Sequence, residues 1–199
     1  MARKKPQTKR ERLESLINQA CHYAEWNLRE YGQVPPSAMA LTKDGIFLMT
    51  PPKLGTESEK DKFADAARML AVGYRADAVC MILESWAVFA KTPEQDITNC
   101  PPSQSPDRVE LVAISREIKG LSAQQFLMIE RDVAGVFSGF SNPMLPKFDE
   151  LQGRLAGILP PREPKDNDAQ MARLTAASAA LMRSFGAIFF AASLGSYFL

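Results

Sequence analysis

The stretch of residues 76–90 constrains the fold more than any other part of this sequence. It reads as one strand whose alternating positions are apolar on both sides, interrupted by Glu84 on one face and by Ser85 on the other. A strand that is apolar on both faces has to be covered on both faces. We therefore expect it at the centre of a sheet, with other elements packed above and below.

The segments downstream of this strand predict its neighbours. Residues 108–119 alternate as an amphipathic strand, residues 124–132 read as its antiparallel partner, and residues 136–140 indicate a short edge strand. The connection over residues 91–107 carries four prolines and is long for a compact domain. Loops of that length without regular structure are often functional or disordered.

The segments upstream predict two helices separated by a short strand over residues 45–50. Each helix begins with a threonine and a glutamate at capping-box spacing, Thr8 with Glu11 and Thr56 with Glu59. The resulting order is α-β-α-β-β-β. It predicts an α+β fold with a mostly antiparallel sheet of about four to five strands, covered by helices and followed by a C-terminal helical segment.

The chain is expected to divide into three parts. Residues 1–7 form a basic arm predicted to be disordered, residues 8–141 form the α+β domain, and residues 142–199 form a C-terminal helical extension. The last sixteen residues carry no charge, whereas a membrane span needs about 20 apolar residues. We therefore expect this tail to be a buried helix or a subunit interface, and no membrane association.

The cysteines and the N-terminus predict a location in the reducing cytoplasm. The chain has three cysteines, Cys21, Cys80 and Cys100, and none of them lies in a CxxC pair. The basic arm leads directly into a polar helix, without the apolar stretch of a signal peptide. Free thiols are expected in that compartment.

The residue types present exclude several mechanisms. His22 is the one histidine, so a metal site that needs two histidines cannot form, and the sequence contains no GxSxG, phosphate loop or GxGxxG pattern. No cofactor and no metal is predicted. The remaining candidates for catalysis are Glu84, Glu110 and Arg108, because carboxylates on adjacent strands can bind Mg²⁺ or act as acid and base. The favoured alternative is a structural ion pair between Glu84 and either Arg108 or Arg116.

Two groups of aromatic residues predict a binding role. Trp26 falls opposite the apolar stripe of the first helix, and Phe185, Phe189 and Phe190 lie in the uncharged tail. Both groups indicate a protein partner or self-association. The alternative for Trp26 is packing against the C-terminal segment.

The basic arm predicts a third kind of partner. Residues 1–12 carry six cations against one acidic residue, although the whole chain has a net charge of +1. Such a cluster suits nonspecific contact with nucleic-acid phosphates, although no helix-turn-helix or zinc-finger pattern accompanies it. The alternative is a solvated terminus. The residues concerned are Arg3, Lys4, Lys5, Lys9, Arg10 and Arg12.

Several short motifs resemble a set of uncharacterised proteins from bacterial and phage genomes, over roughly residues 10–140. The matching residues are Glu84-Ser85-Trp86, Pro102-Ser103, Pro106-Asp107-Arg108 and Glu110. The resemblance implies a bacterial or phage origin and no particular chemistry. The leading hypothesis is a small intracellular accessory protein that binds another protein without catalysis. The alternatives are nucleic-acid binding through the arm and a carboxylate-based, metal-dependent hydrolase.

Overall fold

The computed structural model describes residues 8–90, 99–118, 121–141, 158–159 and 188–191, and these residues form an antiparallel α+β fold. Two α-helices and seven strands lie within them, together with a short 3₁₀ turn at Pro102–Gln104. In chain order the elements are α1 (Lys9–Tyr31), β1 (Ser37–Leu41), β2 (Gly45–Met49), α2 (Glu57–Gly73), β3 (Ala78–Ala87), β4 (Val109–Ile118), β5 (Leu121–Arg131), β6 (Phe137–Ser141) and β7 (Ile188–Ala191).

The strands form one sheet in the order β6-β5-β4-β3-β1-β2-β7, and every neighbouring pair is antiparallel. The predicted central strand is β3, which pairs with β4 along its whole length and with β1 on its other side. Its central position is confirmed. The strands predicted over residues 45–50, 108–119, 124–132 and 136–140 correspond to β2, β4, β5 and β6.

Each face of the sheet is covered by one helix. Cys80 and Ile82 belong to the apolar cluster on the α1 side, whereas Val79 and Met81 belong to the cluster on the α2 side. The prediction that β3 is covered on both faces is therefore confirmed. The helix residues that contribute to these clusters are Leu16, Ala20, Tyr23, Ala24 and Leu28 of α1 and Phe63, Ala64, Ala66, Ala67, Leu70 and Ala71 of α2.

Both helices begin at the predicted capping boxes. The Thr8 hydroxyl accepts from the Glu11 N–H at 3.2 Å, and the Glu11 carboxylate accepts from the Thr8 N–H at 2.7 Å. Thr56 and Glu59 repeat the arrangement at the start of α2. At its other end α1 stops at Gly32, which has the left-handed φ of +73°. That stop turns the chain back toward the sheet.

Two features of the predicted fold need correction. Within the described residues the sheet has seven strands rather than four or five, because β1 and β7 were missed. β1 follows two prolines and has the sequence SAMAL, so its propensity for a strand is weak, and its pairing with β2 and β3 is what defines it. Helical structure over the C-terminal segment is not confirmed, since Ile188–Ala191 pairs with β2 as a strand. A short run of Ile, Phe and Ala fits either structure by periodicity.

Parts of the predicted organisation lie outside the described residues. These are the arm of residues 1–7, residues 91–98 of the long loop, and most of the extension over residues 142–199. In the described portion of the chain, neither helix combines the length and the apolar character required to cross a bilayer.

Candidate functional site

The candidate site lies at one end of the sheet, on the face that α1 covers. Beyond Ile82, this face of β3 continues with Glu84 and Trp86. On β4 the residue opposite Trp86 is Glu110, and the residue opposite Glu84 is the buried Val112. The apolar layer therefore gives way to carboxylates at the end where α1 stops and the chain turns.

Glu110 forms a two-pronged ion pair with Arg131 of β5. The Arg131 Nε atom donates to Glu110 Oε2 at 2.8 Å and Nη2 donates to Oε1 at 2.7 Å, with the two side chains 26% and 16% exposed respectively. The parallel geometry matches the planar guanidinium fork to the carboxylate, which makes it the strong form of this interaction. The hydrogen bonds from Arg131 hold the pKa of Glu110 below its usual value.

Glu84 has a different environment from Glu110. Its Oε2 atom accepts from the Val34 backbone N–H at 2.6 Å, and the side chain is partly buried. Burial raises the pKa of Glu84, the Val34 hydrogen bond opposes that shift, and the charge on Glu110 reinforces it. The two carboxylates therefore differ, because Arg131 lowers the pKa of Glu110 whereas burial raises the pKa of Glu84.

The arginine that forms an ion pair in this cluster is Arg131, which binds Glu110. The sequence had instead predicted an ion pair of Glu84 with Arg108 or Arg116. Arg108 lies over the Trp86 ring, 4.7 Å from the ring centroid, and donates to the Ser103 carbonyl. Arg116 lies opposite Cys80, further along the sheet. Strand periodicity places Arg131 on the α1 face, but only the register of β5 against β4 brings it to Glu110.

The same groups hold the link between α1 and β1 in place. Arg131 Nη2 donates to the Gly32 carbonyl at 3.1 Å, and Glu84 accepts from Val34 two residues later. These contacts tie the end of α1 to the end of the sheet. They also occupy both oxygens of Glu110 and one oxygen of Glu84. Among the described residues, no group of three or more His, Cys, Asp or Glu side chains is placed to hold a metal ion.

Exposed aromatic side chains lie next to the cluster on α1 and on β3. Trp26 on the outer side of α1 is 42% exposed, and its ring meets that of Tyr31 edge to face at 5.4 Å, while Tyr31 is 65% exposed. From the sheet side, Trp86 is also 42% exposed. Tyr31 directly precedes Gly32, and Trp86 lies opposite Glu110, so both aromatic groups adjoin the cluster. We call Trp26, Tyr31, Trp86 and Arg108 the aromatic rim. Sequence reasoning found Trp26 but missed Tyr31 and Trp86, because it placed Tyr31 on the apolar stripe of the first helix and Trp86 on an apolar face of the central strand.

The other candidate residues lie away from this site or outside the described residues. Arg3, Lys4, Lys5 and Phe185 are not among the described residues. Lys9, Arg10 and Arg12 lie in the first turns of α1, where the structure describes their backbone but not their side chains. Phe189 and Phe190 belong to β7, where they lie opposite Phe47 and Ile46 of β2.

The opposed pKa shifts predict a pH dependence of stability. Because the pKa of Glu84 is raised, the folded state binds its proton more tightly than the unfolded chain does. Its contribution to stability is therefore full below the usual value of 4.5 and is lost as the pH rises through the raised value. Glu110 acts in the opposite sense, because its contribution is lost as the pH falls through its lowered value. In the wild-type chain, Glu84 should make the free energy of unfolding decline as the pH rises above 4.5. We expect Glu84→Gln to remove this decline, and urea unfolding from about pH 4 to 8 measures it. An unchanged profile would contradict this account of Glu84.

Comparison with known proteins does not assign a function to this site. No family model, no curated protein and no solved structure matches the chain. The chemistry of the aromatic rim and of the Glu84–Glu110–Arg131 cluster is therefore the basis on which a function is inferred.

Proposed function

We propose that this chain is a small intracellular accessory protein, of bacterial or phage origin, that binds another protein through the aromatic rim and has no catalytic role. The observation that carries the proposal is the exposure of Trp26, Tyr31, Trp86 and Arg108 around one end of the domain. Tryptophan, tyrosine and arginine are the residues that most often dominate the binding energy of protein interfaces.

The order already present in the rim supports this proposal. Trp26 and Tyr31 hold each other edge to face, and Arg108 is stacked on Trp86 and bonded to a backbone carbonyl. Side chains that are ordered before association lose less conformational entropy when a partner binds. Next to the rim, Arg131 bonds both to Glu110, which lies opposite Trp86, and to the carbonyl of Gly32, which follows Tyr31.

The charges at the site favour a protein partner over nucleic acid. Among the described side chains of the cluster and the rim, Glu84 and Glu110 offset Arg108 and Arg131, so these residues supply no excess of cations to attract a phosphate backbone. The carboxylates also favour binding over hydrolysis. Both Glu110 oxygens are engaged by Arg131, and Glu84 accepts a backbone hydrogen bond, which supports a structural role for the pair.

The test compares tryptophan variants with a matched surface variant. A tagged full-length chain is used to recover a stoichiometric partner from a bacterial lysate. The partner is then purified and its Kd measured by calorimetry. We expect Trp26→Ala and Trp86→Ala each to weaken binding at least about tenfold, because each removes a large exposed aromatic surface. Val133→Ala, at a fully exposed position in the β5–β6 turn, should change the Kd by less than about twofold.

Two results would contradict the proposal. The first is unchanged affinity of the purified partner for both tryptophan variants, with melting temperatures equal to that of the wild-type chain. The second is a chain that remains monomeric in sedimentation and recovers no stoichiometric partner. Retention of DNA or RNA at low salt that disappears when residues 1–7 are removed would instead favour the nucleic-acid hypothesis.

A further inference from the structure

The aromatic rim carries hydrogen-bond donors that the described part of the chain does not use. Trp26 and Trp86 are each 42% exposed and Tyr31 is 65% exposed. Within the described residues, neither indole N–H nor the Tyr31 hydroxyl has a hydrogen-bond partner. Arg108 adds guanidinium N–H groups beside the Trp86 ring, of which one donates to the Ser103 carbonyl. An indole and a guanidinium donate and do not accept, so the rim presents mainly donors.

The acceptors at the same end of the domain are mostly engaged already. The backbone carbonyls of Gly32 and Trp86 each accept from a neighbouring side chain. Both oxygens of Glu110 accept from Arg131, and Glu84, which is partly buried, accepts from a backbone N–H. The rim is therefore complementary to a ligand that brings many acceptors and few donors.

An extended proline-rich segment has this chemistry. Proline has no backbone N–H, and a polyproline II helix leaves its carbonyl groups open to solvent, so the segment presents acceptors without donors. Segments of this kind dock on exposed aromatic side chains, and their preformed helix lowers the entropic cost of binding. We propose, resting on the protein-binding role of the rim, that the partner presents a proline-rich segment in the polyproline II conformation, which the rim binds.

The layout and the charge of the rim support this choice of ligand. Arg131 bonds to the Gly32 carbonyl, next to Tyr31, and to Glu110, opposite Trp86, so the two aromatic groups flank one guanidinium. Six residues in the polyproline II conformation extend about 19 Å, which lets one segment contact both groups. The charged side chains of the cluster and the rim offset one another, which favours an uncharged segment over an acidic one.

Tryptophan fluorescence tests the proposal at the site itself, because Trp26 and Trp86 are the two tryptophans of the chain. The purified full-length chain is titrated with an oligoproline peptide of about ten residues with blocked ends, up to about 1 mM. We expect a saturable change in emission, with a Kd at least about tenfold lower than for glycine–serine or oligoglutamate peptides of equal length. Added salt should change the oligoproline Kd by less than about twofold, since that ligand is uncharged.

Conservative variants separate the contribution of the donors from that of the rings. Trp26→Phe and Trp86→Phe each keep an aromatic ring, remove one indole N–H and leave the other tryptophan as the reporter. We expect each to weaken oligoproline binding about two- to tenfold, because one hydrogen bond is lost. Trp26→Ala and Trp86→Ala should weaken it further, whereas Val133→Ala should change the Kd by less than about twofold.

The outcomes distinguish this inference from the proposed function. The absence of a saturable change with oligoproline, or a Kd equal to that of the glycine–serine peptide, would overturn the inference. Tighter binding of oligoglutamate would reject a proline-rich segment in favour of an acidic one, and phenylalanine variants that bind as the wild-type chain does would refute the role of the donors. A recovered partner that is weakened by Trp26→Ala and Trp86→Ala, together with oligoproline that does not bind, would leave the proposed function standing and reject this inference alone.

Discussion

Replacing Arg131 by methionine is expected to lower the free energy of unfolding by about 2–3 kcal/mol. The change keeps much of the side-chain volume but removes the cation that holds both oxygens of Glu110. It leaves Glu110 and the partly buried Glu84 beside each other without a counter-charge. It also removes the hydrogen bond to the Gly32 carbonyl, which helps to anchor the end of α1. The measurement is urea unfolding at neutral pH.

A double-mutant cycle separates charge repulsion from lost hydrogen bonds. In the wild-type chain Glu84→Gln should have a small effect, because Arg131 is held by Glu110 and a glutamine oxygen can still accept from Val34. In the Arg131→Met chain the same change should recover about 1 kcal/mol, since it removes one of two neighbouring negative charges. Arg68→Met removes a comparable arginine from an exposed pair with Asp65 and should cost less than about 0.5 kcal/mol. An equal effect of Glu84→Gln in both backgrounds would contradict the coupling.

Cys80 is expected to react with a thiol reagent at least about 10³-fold more slowly than Cys100 in the native state. Burial raises the pKa of Cys80 to about 12, and its side chain is fully buried between β3 and α1. The thiolate is the reactive form, and a pKa of about 12 in place of the usual 9.0 reduces its population about 10³-fold at neutral pH. Cys100 lies in the loop after β3 and is partly exposed.

The comparison requires single-cysteine chains, because Cys21 is also present and partly buried. Cys21→Ser with Cys100→Ser leaves Cys80 as the reactive group, and Cys21→Ser with Cys80→Ala leaves Cys100. Rates are followed by the absorbance of a disulfide reagent at about pH 8, and denaturant should bring the two rates together by exposing both thiols. Similar rates in the native state would show that Cys80 is not enclosed between the sheet and α1.

The capping boxes and the central strand were predictable because their causes are local. A threonine and a glutamate three residues apart satisfy each other's backbone groups, so α1 and α2 begin where the sequence places them. The strand over residues 76–90 is apolar at alternating positions on both sides, which requires two covering layers wherever the chain lies in space. The α+β class and the antiparallel order of the later strands follow from the same short-range patterns.

The remaining features depend on pairing between segments that are distant in sequence. β1 becomes a strand because β2 and β3 supply its hydrogen bonds, although its own residues have weak strand propensity. Arg131 reaches Glu110 through the register of β5 on β4, which no local pattern encodes. The contact of Glu117 with Leu159 joins residues 42 apart, and the strand at Ile188–Ala191 depends on the free edge of β2. Local composition determines where elements begin and which faces are apolar, whereas the partners of the charged residues are decided only when the sheet assembles.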